Sequence, residues 1–357
     1  MPSLLAQTPE RQREAAAPKT RRIPVQGQQL ALVVLIVVLA IGFSTQAPGF
    51  LSPASLENVL RSASMFGIVG LGMTIVIIGC GSLGGIDLSV GSMMALGGAI
   101  GAGLLGTAFT AANPVKLPVF LALAVALAVT GALGACNGLL VSQLKLAPFA
   151  VTLGMMSVGR GLTYLVIAFA VGQSNTAGVT FSNPVFDWLG LGAFGPIPTV
   201  TVLFLVLAVV LAFVLRSTPF GRSLFVLGGN AENARLAGIN VRRTIVIVFA
   251  ISGLLAGLGG LILTGRLSSA SPLAATGYEL DVIMVAVIGG NSLSGGRGSI
   301  LGTVLGAVLI SEIDTGLDLL NVPSFDQYLV KGTILVVAVV MDKVYQARTN
   351  RNLVRSA

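Results

Sequence analysis

Residues 217–242 read STPFGRSLFVLGGNAENARLAGINVR, a polar stretch set between two long apolar runs. Arg222, Arg235 and Arg242 lie within it, and Arg243 follows directly. The flanking runs, about 198–215 and 243–264, approach the roughly 20 residues that a helix needs to cross a ~30 Å hydrocarbon core. At the centre of the stretch is a short helix signal. Asn230 can accept from the first free backbone N–H groups, Glu232 sits where the helix dipole favours negative charge, and Gly238 supplies a stop. A capped helix on a basic loop between spans is placed to touch something at the membrane surface.

The rest of the chain extends that reading. Of 357 residues 54% are hydrophobic and only 10% charged, with 46 glycines, unlike any soluble globular composition. The apolar runs are continuous rather than alternating, so the fold class is an all-α polytopic membrane protein and a barrel is excluded. About ten transmembrane helices are predicted, near 28–46, 57–79, 88–107, 117–141, 148–171, 198–215, 243–264, 279–290, 298–313 and 325–343, the eighth and ninth being short. They form one transmembrane domain over 28–343, with 216–242 as its large loop. Residues 1–27 make a polar tail, too long and polar for the n-region of a cleaved signal, and 344–357 make a second tail.

If the chain starts inside and alternates, 16 of its 21 basic residues fall on the cytoplasmic side. These include Arg11, Arg13, Lys19, Arg21 and Arg22, then Lys145, the loop cluster, Arg297, Lys343, Arg348, Arg351 and Arg355. Arg61, Lys116 and Arg266 fall outside, and Arg160 and Lys331 fall within spans. By the positive-inside rule both termini are cytoplasmic. The outer segment 172–197 holds Asp187 and the only tryptophan, Trp188; it reads as an interfacial helix or as an ordered loop.

An internal echo links IIGCGSLGGIDLSVGSMMALGGAIGAGLL at 77–105 with VIGGNSLSGGRGSILGTVLGAVLI at 287–310. Both are span, Gly/Ser hairpin, span. Such repeats often mark a transport pathway, although close helix packing alone also selects glycine.

Chemistry-bearing residues are scarce. There is no histidine, and the two cysteines, Cys80 and Cys136, lie in or beside apolar segments, so neither a disulfide framework nor a Cys/His metal site can be built. No phosphate loop, H-E-x-x-H or G-x-S-x-G occurs, so no catalytic role and no cofactor is expected. The net charge of +8 is a matter of distribution across the membrane, and no nucleic acid partner is expected. A charge inside a span costs a few kcal/mol unless paired or hydrated. Arg160 and Asp87 are therefore the candidate pathway or structural charges, and they are expected to pair with each other. Glu279, Asp281, Glu312 and Lys331 are placed nearer the outer span ends, where side chains snorkel. Tyr164 and Tyr328 are aromatic candidates for a binding platform, and no substrate ligand is assigned.

Several motifs in fixed order resemble the ribose-type monosaccharide ABC importer permease family, over nearly all of 57–343. They are Gly85-Ile86-Asp87-Leu88-Ser89-Val90-Gly91-Ser92, Asn137-Gly138, Thr152-Leu153-Gly154, Arg160-Gly161-Leu162, Gly228-x-Asn230-x-x-x-Ala234-x-x-x-Gly238-Ile239, Gly277-Tyr278-Glu279-Leu280-Asp281 and Gly289-Gly290-x-Ser292-Leu293-Ser294-Gly295-Gly296-Arg297-Gly298. Asn291 departs from the family, where Thr is commoner. The resemblance implies a subunit of the bacterial cytoplasmic (inner) membrane that pairs with a second copy or a paralogue. A separate cytoplasmic ATPase supplies energy, and an extracytoplasmic binding protein delivers the sugar. The spacing Glu232-x-Ala234-x-x-x-Gly238 resembles the loop by which such permeases dock their ATPase, which makes Gly228, Asn230, Glu232, Ala234, Arg235 and Gly238 the candidate coupling residues. A permease for nucleosides or branched-chain amino acids stays open as an alternative. So does an ion-driven secondary transporter, although that class favours mid-membrane acidic or histidine relays.

Overall fold

A computed structural model describes residues 25–105, 117–171, 178–180 and 182–354. The basic residues Arg11 to Arg22 of the N-terminal tail, together with Lys116 and Arg355, lie outside the described residues. The described chain forms α1 (Val25–Gln46), α2 (Pro53–Cys80), α3 (Val90–Leu104), α4 (Val119–Leu144), α5 (Pro148–Val171), α6 (Pro184–Leu191), α7 (Thr199–Ser217), α8 (Pro219–Gly229), α9 (Ala231–Leu236), α10 (Val241–Leu267), α11 (Tyr278–Ile288), α12 (Ile300–Leu319) and α13 (Ser324–Val354). Eight of these helices are long and apolar enough to cross a membrane, and α3 is a shorter apolar helix. This is the expected all-α polytopic architecture.

Each predicted span coincides with one helix, but three boundaries differ for physical reasons. Helix α3 has only 15 residues, because Gly84–Ser89 enters the bundle as non-helical chain. Helix α12 is not short. It runs for 20 residues past Glu312, which the bundle buries, so the charge does not end it. Helix α13 continues beyond 343 to Val354, since no Gly or Pro interrupts Lys343–Val354.

Helix α2 is the axis. Every residue of its most apolar window is buried, and it packs against α7, α10, α11 and α12. Among lipid tails, hiding apolar side chains gains little, so association rests on close backbone approach at small residues. The α4–α10 seam follows this rule: a Cβ on Gly134 would collide with the Phe249 carbonyl, and one on Gly253 with the Thr130 carbonyl. Gly134 and Gly138 face α10, as Gly253 and Gly257 face α4, each pair four residues apart. Helix α3 approaches α10 in the same way, Gly97 against the Gly257 backbone.

At the far end from the 216–242 loop, the described part of segment 172–197 forms the short helix α6. Asn183 caps it by accepting from the Val185 amide at 3.0 Å, and Trp188 is half exposed. Arg61 donates to the carbonyls of Gly190 (2.9 Å), Leu191 (2.7 Å) and Gly192 (3.2 Å), a cation on the negative end of that helix. Two short ribbons finish this end, β1 (Val179–Thr180) with β4 (Ser269–Ala270) and β2 (Ala193–Phe194) with β3 (Ile197–Pro198).

The α4–α10 seam makes a paired prediction. Gly253→Leu should lower the melting temperature of the detergent-solubilised protein, at roughly 1–3 kcal/mol for overpacking. Gly131→Ala should not, because its Cβ would stand an ordinary 3.7 Å from Leu254. Equal melting temperatures for the two variants would contradict glycine-mediated packing.

Candidate functional site

Two chain breaks meet in the middle of the bundle. After α2 and a 3-10 turn, Asp87 is carried in fully buried. Its carboxylate accepts from the Ser89 amide (3.1 Å), the Ser89 hydroxyl (2.6 Å) and the Ser252 hydroxyl (2.7 Å). Asn137 donates to Ser89 Oγ at 3.1 Å, and Thr152 donates to the Ile86 carbonyl at 3.3 Å. The carboxylate therefore joins the start of α3 to α10 directly and to α4 through Ser89, and the neighbouring Ile86 carbonyl holds α5. Ser252 lies in the central turns of α10, so α3 begins at mid-depth. The second break follows α10, where residues 271–277 fold back until the Ala275 carbonyl and the Glu279 carboxylate press on Gly91.

Arg160 sits halfway along α5 and donates from Nη1 to the Pro272 carbonyl and to the Ala274 carbonyl, the latter at 2.8 Å. The expected Arg160–Asp87 pair is not formed. Asp87 is satisfied by hydroxyls and an amide of neighbouring turns. The irregular 271–277 segment presents carbonyls that no helix ladder uses, and Arg160 supplies their donors. Nor do the remaining charges snorkel. Lys331 turns inward from α13 to Asp281 (3.1 Å) and Asp314 (3.0 Å), tying α13 to α11 and α12. Glu279 and Asp281 lie deeper than the sequence implies because α11 starts where the re-entrant segment ends.

The two echoing hairpins come together at the other end of α2. Gly296 donates to the Ile78 carbonyl at 2.9 Å, and Gly81 abuts Gly295. Asn291 closes the second hairpin: its amide donates to the Ala286 carbonyl (2.7 Å), Thr303 (3.0 Å) and Thr74 (3.3 Å), and its oxygen accepts from the Ser299 amide (2.8 Å). Sequence reasoning missed this network, for which the only signal was a lone amide residue among glycines.

The coupling candidates divide into two groups. Asn230 ends α8 and caps α9, accepting from the amides of Glu232 (2.9 Å) and Asn233 (3.0 Å). Gly238 takes the left-handed φ of +78° that ends the turn. Ala234 is buried, and Gly228 faces inward so tightly that a Cβ would collide with the Ile78 carbonyl. Glu232 and Arg235 are exposed and pair at 3.2 Å, and beside them Leu236 is 78% exposed. The outward face of α9 is thus Glu232, Arg235 and Leu236.

Residues 55–339 match the family described as branched-chain amino acid transport system / permease component. The chain belongs to this family. As a permease it is a transport component and not itself an enzyme. It is 39% identical over 315 residues to the ribose import permease protein RbsC of Escherichia coli (strain K12), covering 88% of this chain and 93% of that protein. It is 36% identical over 312 residues to the L-arabinose ABC transporter permease protein AraH of Azospirillum brasilense, covering 87% and 86%. It is 35% identical over 324 residues to the galactose/methyl galactoside import permease protein MglC of Escherichia coli (strain K12), covering 88% and 94%.

The geometry of Asp87 predicts which double-mutant cycles couple. Thermal unfolding in detergent should show that the losses from Asp87→Ala and Arg160→Ala add to within about 0.5 kcal/mol. The losses from Asp87→Ala and Ser252→Ala should not add, since the two side chains share a hydrogen bond. Coupling of Asp87 to Arg160 rather than to Ser252 would contradict the site.

Proposed function

We propose that the chain is the membrane-spanning subunit of an ATP-driven importer for a monosaccharide of the ribose, arabinose or galactose kind. The carrying observation is its similarity, over most of both chains, to permeases named for those three sugars. It is a multi-pass protein of the bacterial inner membrane. An ATPase subunit and an extracytoplasmic binding protein act with it, and two permease copies, or this chain and a paralogue, enclose the pathway.

The end bearing α8 and α9 is cytoplasmic in this reading, as are both tails. Lys145, Arg216, Arg222, Arg235, Arg242, Arg243 and Arg297 are exposed there, whereas Arg61 and Arg266 stand at the α6 end, the distribution that the positive-inside rule favours. The outward face of α9 suits an ATPase cleft, with an exposed leucine between charges at its rim. Gly228 and the abutting glycines of both hairpins pass any displacement of α8 to the starts of α3 and α12. Asp87, fully buried, braces the pathway, and Arg160 lines it.

The family's description, which names branched-chain amino acids, favours a second reading. Uptake into proteoliposomes holding permease, ATPase and binding protein separates the two. Radiolabelled sugar should enter only with internal ATP, and excess leucine should not compete. Leucine uptake without sugar uptake would replace the proposal by the second reading.

In the same system Leu236→Asp and Gly238→Pro should leave permease abundance unchanged and weaken ATPase co-purification by roughly tenfold, about 1.4 kcal/mol. Proline cannot adopt the +78° φ of Gly238, and it removes the amide that bonds the Arg235 carbonyl at 3.0 Å. Wild-type co-purification and uptake in both variants would exclude α9 as the docking helix.

A further inference from the structure

Non-helical backbone at membrane depth is tolerated only inside protein or along a water-filled cavity. The two mid-bundle breaks differ in this respect. The first, around Asp87, is largely closed over by protein. The second is open: Leu273 is 62% exposed, Thr276 is exposed, and Leu280 on the first turn of α11 is 45% exposed. Hydrocarbon cannot cover that segment.

Its neighbours have the same requirement. Arg160 is half-buried and uses only Nη1 to hold the Pro272 and Ala274 carbonyls. Its other N–H groups make no hydrogen bond among the described residues, and a guanidinium at mid-span that keeps free donors faces water or a polar solute rather than lipid. On α5, Ser157 and Gly161 flank it and are exposed. On α13, the 61%-exposed ring of Tyr328 borders Gly277. The exposed faces of α1 and α7 that would meet lipid are apolar, with Val34 and Ile41 on one and Val209 and Phe213 on the other, whereas on α5 and α13 exposed polar groups stand beside exposed apolar ones such as Val158 and Leu329.

We infer that Arg160, Thr276 and Tyr328 form one wall of the water-filled pathway and contact the hydroxyl groups of a neutral sugar in transit. A guanidinium, a hydroxyl and an aromatic ring supply the hydrogen bonds and the apolar platform that a sugar needs. Glu279, on the first turn of α11, offsets the charge of Arg160, which suits a neutral solute. The inference rests on the sugar-importer reading for the identity of the solute, but not for the presence of water.

Cysteine accessibility in the proteoliposome complex tests it. Cys80 is buried and Cys136 exposed, so the background is Cys136→Ala. Thr276→Cys and Leu280→Cys should react with a charged, membrane-impermeant methanethiosulfonate, and saturating transported sugar should slow the reaction. Val209→Cys and Val34→Cys should stay unreactive. Thr276→Val should raise the KM for uptake with kcat little changed, and Thr276→Ser should restore it. Unreactive Thr276→Cys in a complex that still transports sugar would overturn the inference. So would reactivity that the transported sugar does not slow. If leucine rather than sugar were transported and slowed the labelling, the wall would stand and the sugar contact would be refuted.

Discussion

Close approach of one backbone to another, at positions where only glycine leaves room, is the interaction on which this bundle depends. Lipid tails are as apolar as the helix faces, so the usual gain from hiding apolar surface is largely absent between spans. Contact at Gly134, Gly253 and Gly97 replaces it with van der Waals packing around α10. The same device holds together the end that bears the 216–242 loop, where Gly228, Gly81 and Gly295 bring α8, the end of α2 and the second hairpin into backbone contact.

A second constraint follows from the first. Helices that start or stop inside a membrane leave carbonyls and amides that lipid cannot satisfy, and each needs a partner. Three side chains meet most of that demand. Asp87 gathers the start of α3, Asn291 closes the hairpin before α12, and Arg160 holds the carbonyls of the re-entrant segment. That is why so many of the family's motif residues lie at chain breaks. It is also why Arg160 and Asp87, equally suspect as membrane charges, act in different places. Transport needs a bundle that is rigid where helices cross and adjustable where they break, and of these breaks the 271–277 segment belongs to the proposed pathway itself.

Much of this was legible in the sequence. Continuous apolar runs located every spanning helix, and the Asn230, Glu232 and Gly238 signals located α9, because caps and stops are local chemistry. The motif order resembled the sugar importer permeases, and permeases named for ribose, arabinose and galactose align with most of the chain. What stayed hidden was set by depth and by partners distant in the chain. The fold-back of 271–277 carries Glu279 and Asp281 inward, and hydropathy cannot show a segment that reverses within the membrane. Arg160 finds its acceptors more than a hundred residues away, on backbone groups that no side-chain motif reveals. The Asn291 network was invisible for the same reason, since Thr74 and Thr303 read as ordinary small residues in apolar runs.

Amide hydrogen exchange on the purified protein in lipid nanodiscs tests the central claim most directly, namely that the breaks are closed by specific hydrogen bonds. Ser299 donates its amide to Asn291, Ser89 to Asp87 and Gly296 to the Ile78 carbonyl. These non-helical amides should exchange as slowly as those in the centre of α2, and Asn291→Ala should release Ser299 selectively. Exchange at all three as fast as in the exposed turn around Gly238 would contradict the account.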